Sequence, residues 1–146
     1  MRREEFEYHS INLWRLALAK RRSFVSSRPT PHAPRLLLMS DLDRELLARC
    51  LEKRQRGWED FVDRFLGLVL HVIDHTTLMR EIHLGRDDRD TLCEKVFTAI
   101  AHDDFRLLRR YQGRSSLSTY LTTVARRVVV RILVNYSFVG YEQRTA

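Results

Sequence analysis

The residues best suited to chemistry in this chain are arginines with no acid near them. From Phe105 to Tyr141 there is no Asp or Glu, yet there are seven arginines: Arg106, Arg109, Arg110, Arg114, Arg126, Arg127 and Arg131. A guanidinium is a permanent, forked cation that meets phosphate oxygens with parallel N–H donors. Arg127 and Arg131 are four apart and share one face of a helix. Arg114 lies in Tyr111-Gln112-Gly113-Arg114-Ser115-Ser116, a polar run that reads as a loop opening into a helix. Ser115 or Ser116 caps that helix, whose free N–H groups and positive dipole end strengthen the pull on an anion. Tyr111 and the two serine hydroxyls offer a ring and polar groups to an unstacked base. The candidate nucleic-acid contacts are therefore Arg109, Arg110, Tyr111, Gly113, Arg114, Ser115, Ser116, Arg126, Arg127 and Arg131. Tyr120 falls on an apolar stripe and is expected in the core.

Other chemistries have less behind them. His71 and His75 stand at i and i+4, a spacing that lets two imidazoles share one ion. No carboxylate motif accompanies them, and Cys50 and Cys93 sit in apolar helical patterns. No metal and no cofactor is expected. The acids of Asp87-Asp88-Arg89-Asp90 read as helix capping and a charged surface. There is no Gly-rich phosphate loop, nucleophile elbow or Cys-His signature, so the chain does not read as an enzyme.

Charge is segregated along the sequence. Residues 1–38 sum to +5, residues 39–104 to −5 and residues 105–146 to +7, for a net +7. Three blocks of alternating sign imply one anionic and one cationic face. The cationic face suits phosphate, and the anionic face suits solvent or a basic protein. The 26 basic residues comprise 23 arginines and three lysines. Two cysteines make no disulfide framework and point to a reducing compartment, the cytoplasm. No apolar run reaches the length of a membrane span, and the start lacks a secretion signal.

The elements that must position these groups are helices. The 146 residues suit one modest core. Residues 1–38 form a basic extension ending in a linker that holds all three prolines, Pro29, Pro31 and Pro34. A short amphipathic helix over Ile11–Val25 is an alternative to disorder there, and Met39 is a candidate translational start. The helical domain spans residues 39–134. Ser40 or Asp41 caps a helix with Leu42, Leu46, Leu47 and Cys50 inward, and Gly57 breaks it. A second helix spans about Trp58–His75, its stripe made by Trp58, Phe61, Val62, Phe65, Leu68, Val69, Val72 and Ile73. Thr76–Arg86 connects it to a third, capped by Asp87 or Asp88, with Leu92, Val96, Phe97 and Ile100 inward. His102-Asp103-Asp104 interrupts that helix, and Phe105, Leu107, Leu108 and Tyr111 continue it as a short piece. The last helix buries Leu117, Tyr120, Leu121, Val124, Val128 and Ile132. Its period outweighs the β-branched run Val128-Val129-Val130. The fold class is all-α, a compact bundle of four to five helices. Residues 135–146 read as a short tail without a second DNA-binding domain.

Two stretches carry a family resemblance. Asp88-Arg89-Asp90-Thr91-Leu92-Cys93-Glu94-Lys95-Val96-Phe97 resembles the region-two helix of bacterial RNA polymerase sigma factors of the extracytoplasmic-function group. Tyr111-Gln112-Gly113-Arg114-Ser115-Ser116-Leu117-Ser118-Thr119-Tyr120-Leu121, continued by Thr122–Arg127, resembles the loop and helix start that this group uses at the minus-ten promoter element. The resemblance spans about Asp41 to Leu133. It implies a compact helical domain that docks on the β′ subunit of core RNA polymerase through Asp88, Asp90, Glu94 and Lys95, with Leu92 in the same segment. It implies that the loop captures a flipped non-template base of promoter DNA while Arg126, Arg127 and Arg131 hold backbone. An anti-sigma factor is a further partner that such a protein would have. The chain departs from the family where Glu94-Lys95 replaces a usual Gln-Glu, where Tyr120 replaces a common Trp, and where Arg127 replaces a frequent Asn. The usual second domain, which reads the minus-thirty-five element, has no counterpart in residues 135–146.

Overall fold

The computed structural model describes the backbone of residues 39–144 and the side chains of residues 39–135. The expectations for residues 1–38 lie outside the described residues. Among the described residues four helices follow one another: α1 (Asp41–Leu51), α2 (Gly57–Leu78), α3 (Arg86–Arg109) and α4 (Leu117–Arg144). No strand occurs among the described residues. Helix α2 is the hub and packs against the other three.

Ser40 caps α1, its hydroxyl accepting from the Asp43 N–H at 3.1 Å. The inner face of α1 departs from expectation. Leu42 is 73% exposed, whereas Asp43 is buried beside Leu46 and Cys50. The stripe passes through Asp43, three residues before Leu46, and Leu42 turns about 100° away from it. Burial of the Asp43 carboxylate is tolerated because Arg64 Nε donates to it at 2.7 Å.

Gly57 opens α2 rather than merely ending α1. A Cβ at this position would stand 2.7 Å from the Arg49 carbonyl oxygen, so only glycine lets the two helices come this close. The turn before it passes through left-handed backbone at Lys53 and Arg56. Every position of the expected α2 stripe is buried except Leu68, which is half-buried, and Leu66 joins it. Trp58 sits among Phe61, Phe97 and Phe105 at centroid distances of 5.5, 6.0 and 5.3 Å. Helix α2 runs three residues past His75 because Thr76 and Thr77 are themselves buried, and the Thr77 hydroxyl donates back to the Ile73 carbonyl.

Helix α3 starts earlier than expected. Gly85 is its N-cap, and Asp87 and Asp88 occupy its first turn, where their charge opposes the positive dipole end. Leu92, Val96, Phe97 and Ile100 are buried, as is Cys93. The interruption is abrupt. Asp103, Asp104 and Phe105 adopt left-handed backbone, with φ of 57°, 55° and 58°. Such conformations cost about 1–2 kcal/mol per residue. Full burial of the Phe105 ring against Trp58 holds the segment in place.

In α4, Leu117, Leu121, Val124, Ala125, Val129 and Leu133 form the buried line, with Tyr120, Val128 and Ile132 half-buried at its edge. The helical backbone continues to Arg144, beyond the expected domain edge at residue 134. No proline stands between Leu117 and Arg144 to stop it.

Candidate nucleic-acid interface

The loop between α3 and α4 is held open from within. Gly113 has φ +69°, and nothing lies within 4 Å of the place a Cβ would take, so the turn faces open space. The Tyr111 hydroxyl donates to the Ser115 carbonyl at 2.5 Å, and its ring packs on Tyr120 at 5.2 Å. The Tyr120 hydroxyl donates to the Leu107 carbonyl at 2.6 Å. Tyr111 therefore braces the loop through its hydroxyl, and its ring, which the sequence offered to a base, packs on Tyr120. Ser116 is the cap of α4: its hydroxyl accepts from the Thr119 N–H at 3.1 Å, and its carbonyl accepts from Tyr120. The Ser115 hydroxyl donates to the Ser116 carbonyl. Both serines shape the loop first.

A groove of about 970 Å³ runs between α3 and α4. Its cationic lining is Arg106, Arg110, Arg127 and Arg131, with Lys95. Its apolar lining is Ala99, Leu107, Val124 and Val128. Arg110 and Arg127 both lie close enough to the Tyr120 phenol to oppose the upward push that burial gives its pKa. The four-residue spacing of Arg127 and Arg131 thus produces the shared face that the sequence implied.

Pairing separates these arginines from the others. Arg44, Arg49, Arg64 and Arg89 each hold a carboxylate, at 3.2, 2.6, 2.7 and 2.6 Å. Arg54 and Arg56 also face acids, as does Arg106 with Asp103. Among the described residues, Arg110, Arg114, Arg126, Arg127 and Arg131 have no ion pair or side-chain hydrogen bond. Arg80 and Arg86 are likewise unpaired, one near each end of the α2–α3 connection. Five unpaired guanidiniums follow one another from the end of α3 into α4.

Several expected contacts stand elsewhere. Arg109 does not join the groove. Its guanidinium donates to Asp104 and to the Leu51 carbonyl, so it fastens α3 to the end of α1. Arg114 and Arg126 are exposed but lie outside the groove lining. Leu92 is 4% exposed and belongs to the core, which removes it from any docking surface. Its apolar side chain sits on the inward stripe of α3 and is spent on packing. Asp88 is exposed and Asp90 half-buried. Glu94 and Lys95 do not stand on an opposite face: both line the groove that holds the arginines. His102, expected only at the break in α3 or as a further metal ligand, lines it too, as do Thr98 and Thr123, which the sequence did not single out. Thr98 follows Glu94 by four residues and Thr123 precedes Arg127 by four, a spacing that would have found them.

His71 and His75 are exposed, with ring centroids 6.3 Å apart, and no group of three metal-ligating side chains forms among the described residues. Burial pushes the Cys50 and Cys93 thiols up to about 12. None of the described helices is long and apolar enough to cross a membrane. No protein-family model matches the chain, and the searches of curated proteins and of solved structures return no match.

Proposed function

We propose that this chain is a transcription initiation module of the sigma-factor region-two type, which binds core RNA polymerase and promoter DNA. One observation carries the nucleic-acid half of this reading. Arg110, Arg114, Arg126, Arg127 and Arg131 follow one another in sequence without acidic partners, and three of them, Arg110, Arg127 and Arg131, line one groove, whereas most other arginines among the described residues are paired. A solvated basic face normally intersperses acids, whereas a phosphate-binding face keeps its cations free. The open turn at Gly113 adds a point of backbone access beside them. Binding is the whole mechanism: phosphate neutralisation offsets the unstacking of a melted strand. The polymerase half rests on the resemblance of the α3 sequence and on the exposed acids Asp87 and Asp88 at its start.

The test is co-elution with core polymerase followed by transcription from a promoter pool. Retention on the core and initiation from a defined promoter subset is the expected result, and failure to bind any bacterial core removes the sigma assignment. A second reading is a stand-alone helical nucleic-acid-binding protein. The burial of Leu92 and the placement of Glu94 and Lys95 in the arginine groove favour it, because they subtract three residues from the polymerase surface. It expects salt-sensitive strand binding without a polymerase partner.

A further inference from the structure

Glu94 is a carboxylate in a mainly cationic groove whose other acid, Asp103, faces Arg106. It shares the lining with Arg106, Arg110, Arg127 and Arg131, yet among the described residues it has no hydrogen bond and no ion pair. It is half-buried. A carboxylate here weakens phosphate binding by its charge, and the groove does not neutralise it by pairing. A strand whose phosphates lie on the unpaired Arg127 and Arg131 of α4 has its bases left to meet the α3 wall, where Glu94 stands.

We propose that Glu94 selects the base in this groove, accepting hydrogen bonds from the Watson–Crick edge of an unstacked guanine. This rests on the reading of the groove as a single-strand site. The choice of guanine follows from donor geometry. An ionised carboxylate only accepts. Guanine presents N1–H and N2–H side by side, matching the two carboxylate oxygens. Cytosine and adenine each present one amino donor next to a ring-nitrogen acceptor, which repels the second oxygen. Thymine presents N3–H between two carbonyls and is the worst match. Thr98, one turn along α3 from Glu94 and exposed, adds a hydroxyl to the same wall. The arginines then supply affinity and Glu94 supplies the preference.

The experiment compares short oligo-dT strands with the same strands carrying one central guanine, adenine or cytosine, titrated at low salt against the full chain. The single guanine keeps quadruplexes out. The wild-type chain is expected to bind the guanine strand about tenfold tighter than plain oligo-dT, within the range of one good bidentate base contact. Glu94→Gln is expected to reduce that advantage to less than about twofold while oligo-dT binds as well or slightly better, since a negative charge has left the groove. Because Glu94 has no partner to lose, an unchanged melting temperature checks that the variant folds. Oligo-dT binding with no guanine advantage overturns the role of Glu94 alone, as does an advantage that survives Glu94→Gln. Absence of binding to every strand overturns the groove reading and this inference with it.

Discussion

The guanidinium of Arg109 donates to the main-chain carbonyl of Leu51, 3.1 Å away in space and 58 residues earlier in sequence. Leu51 ends α1, where carbonyls lack helical partners, so this contact caps one helix with the side chain of another. The same guanidinium holds Asp104 at 3.0 Å, and Asp104 holds Lys53 at 2.7 Å. Two left-handed turns, one at Lys53 and one at Asp103–Phe105, are thereby clipped together. Arg109→Ala is expected to lower stability by about 1 kcal/mol, since the contacts are charge-assisted but partly exposed. Strand affinity at low salt should fall less than for Arg127→Ala. Urea unfolding and fluorescence anisotropy measure the two effects, and a larger loss of affinity for Arg109→Ala would return it to the binding surface.

The clip is sensitive to acid. Lys53 first, and then Arg109, hold the Asp104 carboxyl below its ordinary value. A depressed carboxylate contributes stability above its unfolded pKa, about 3.9, and loses it as pH falls through the lower folded value. The contribution is thus fully present at neutral pH and begins to fall below about pH 4. Asp104→Asn should be less stable than wild type at pH 6, and the gap should narrow as pH falls below about 4. A constant gap across that range would deny the ion pairs any role.

Gly57→Ala tests how tightly α1 and α2 meet. Alanine is the better helix former by about 1 kcal/mol, which favours the variant. Its Cβ would lie 2.7 Å from a main-chain oxygen, which no rotamer relieves. Overpacking of this kind costs about 1–3 kcal/mol, so a net loss is expected. A variant as stable as wild type in urea would mean that the two helices separate freely.

The phosphate role of α4 has its own signature. Each phosphate contact on a single strand contributes about 0.7 to the slope of log affinity against log salt. Arg127→Ala with Arg131→Ala should therefore reduce that slope by about 1.4 and weaken all sequences alike. An unchanged slope would place the strand elsewhere.

The long apolar recurrence from Trp58 to Ile73 made α2 legible, and Gly113 with the serines after it made the α3–α4 loop legible. The break after His102 was visible because His-Asp-Asp ends an apolar period. What stayed hidden depends on how helices turn toward one another. Glu94 and Arg127 share a groove only because α3 and α4 pack with those faces adjacent, and no local period records that. Arg109 looked like its neighbours Arg106 and Arg110, yet the left-handed turn before it points its guanidinium back at α1. Leu42 faces outward and Asp43 inward because Arg64, 21 residues away, satisfies a carboxylate that local hydropathy alone places at the surface.

The chain has two cysteines, and both thiols are sealed in the core. A single engineered surface cysteine, for example at Thr123 beside the groove, would be the sole rapidly alkylated position of the folded protein. Fluorophores or spin probes can thus be attached site-selectively without first removing either native sulfur.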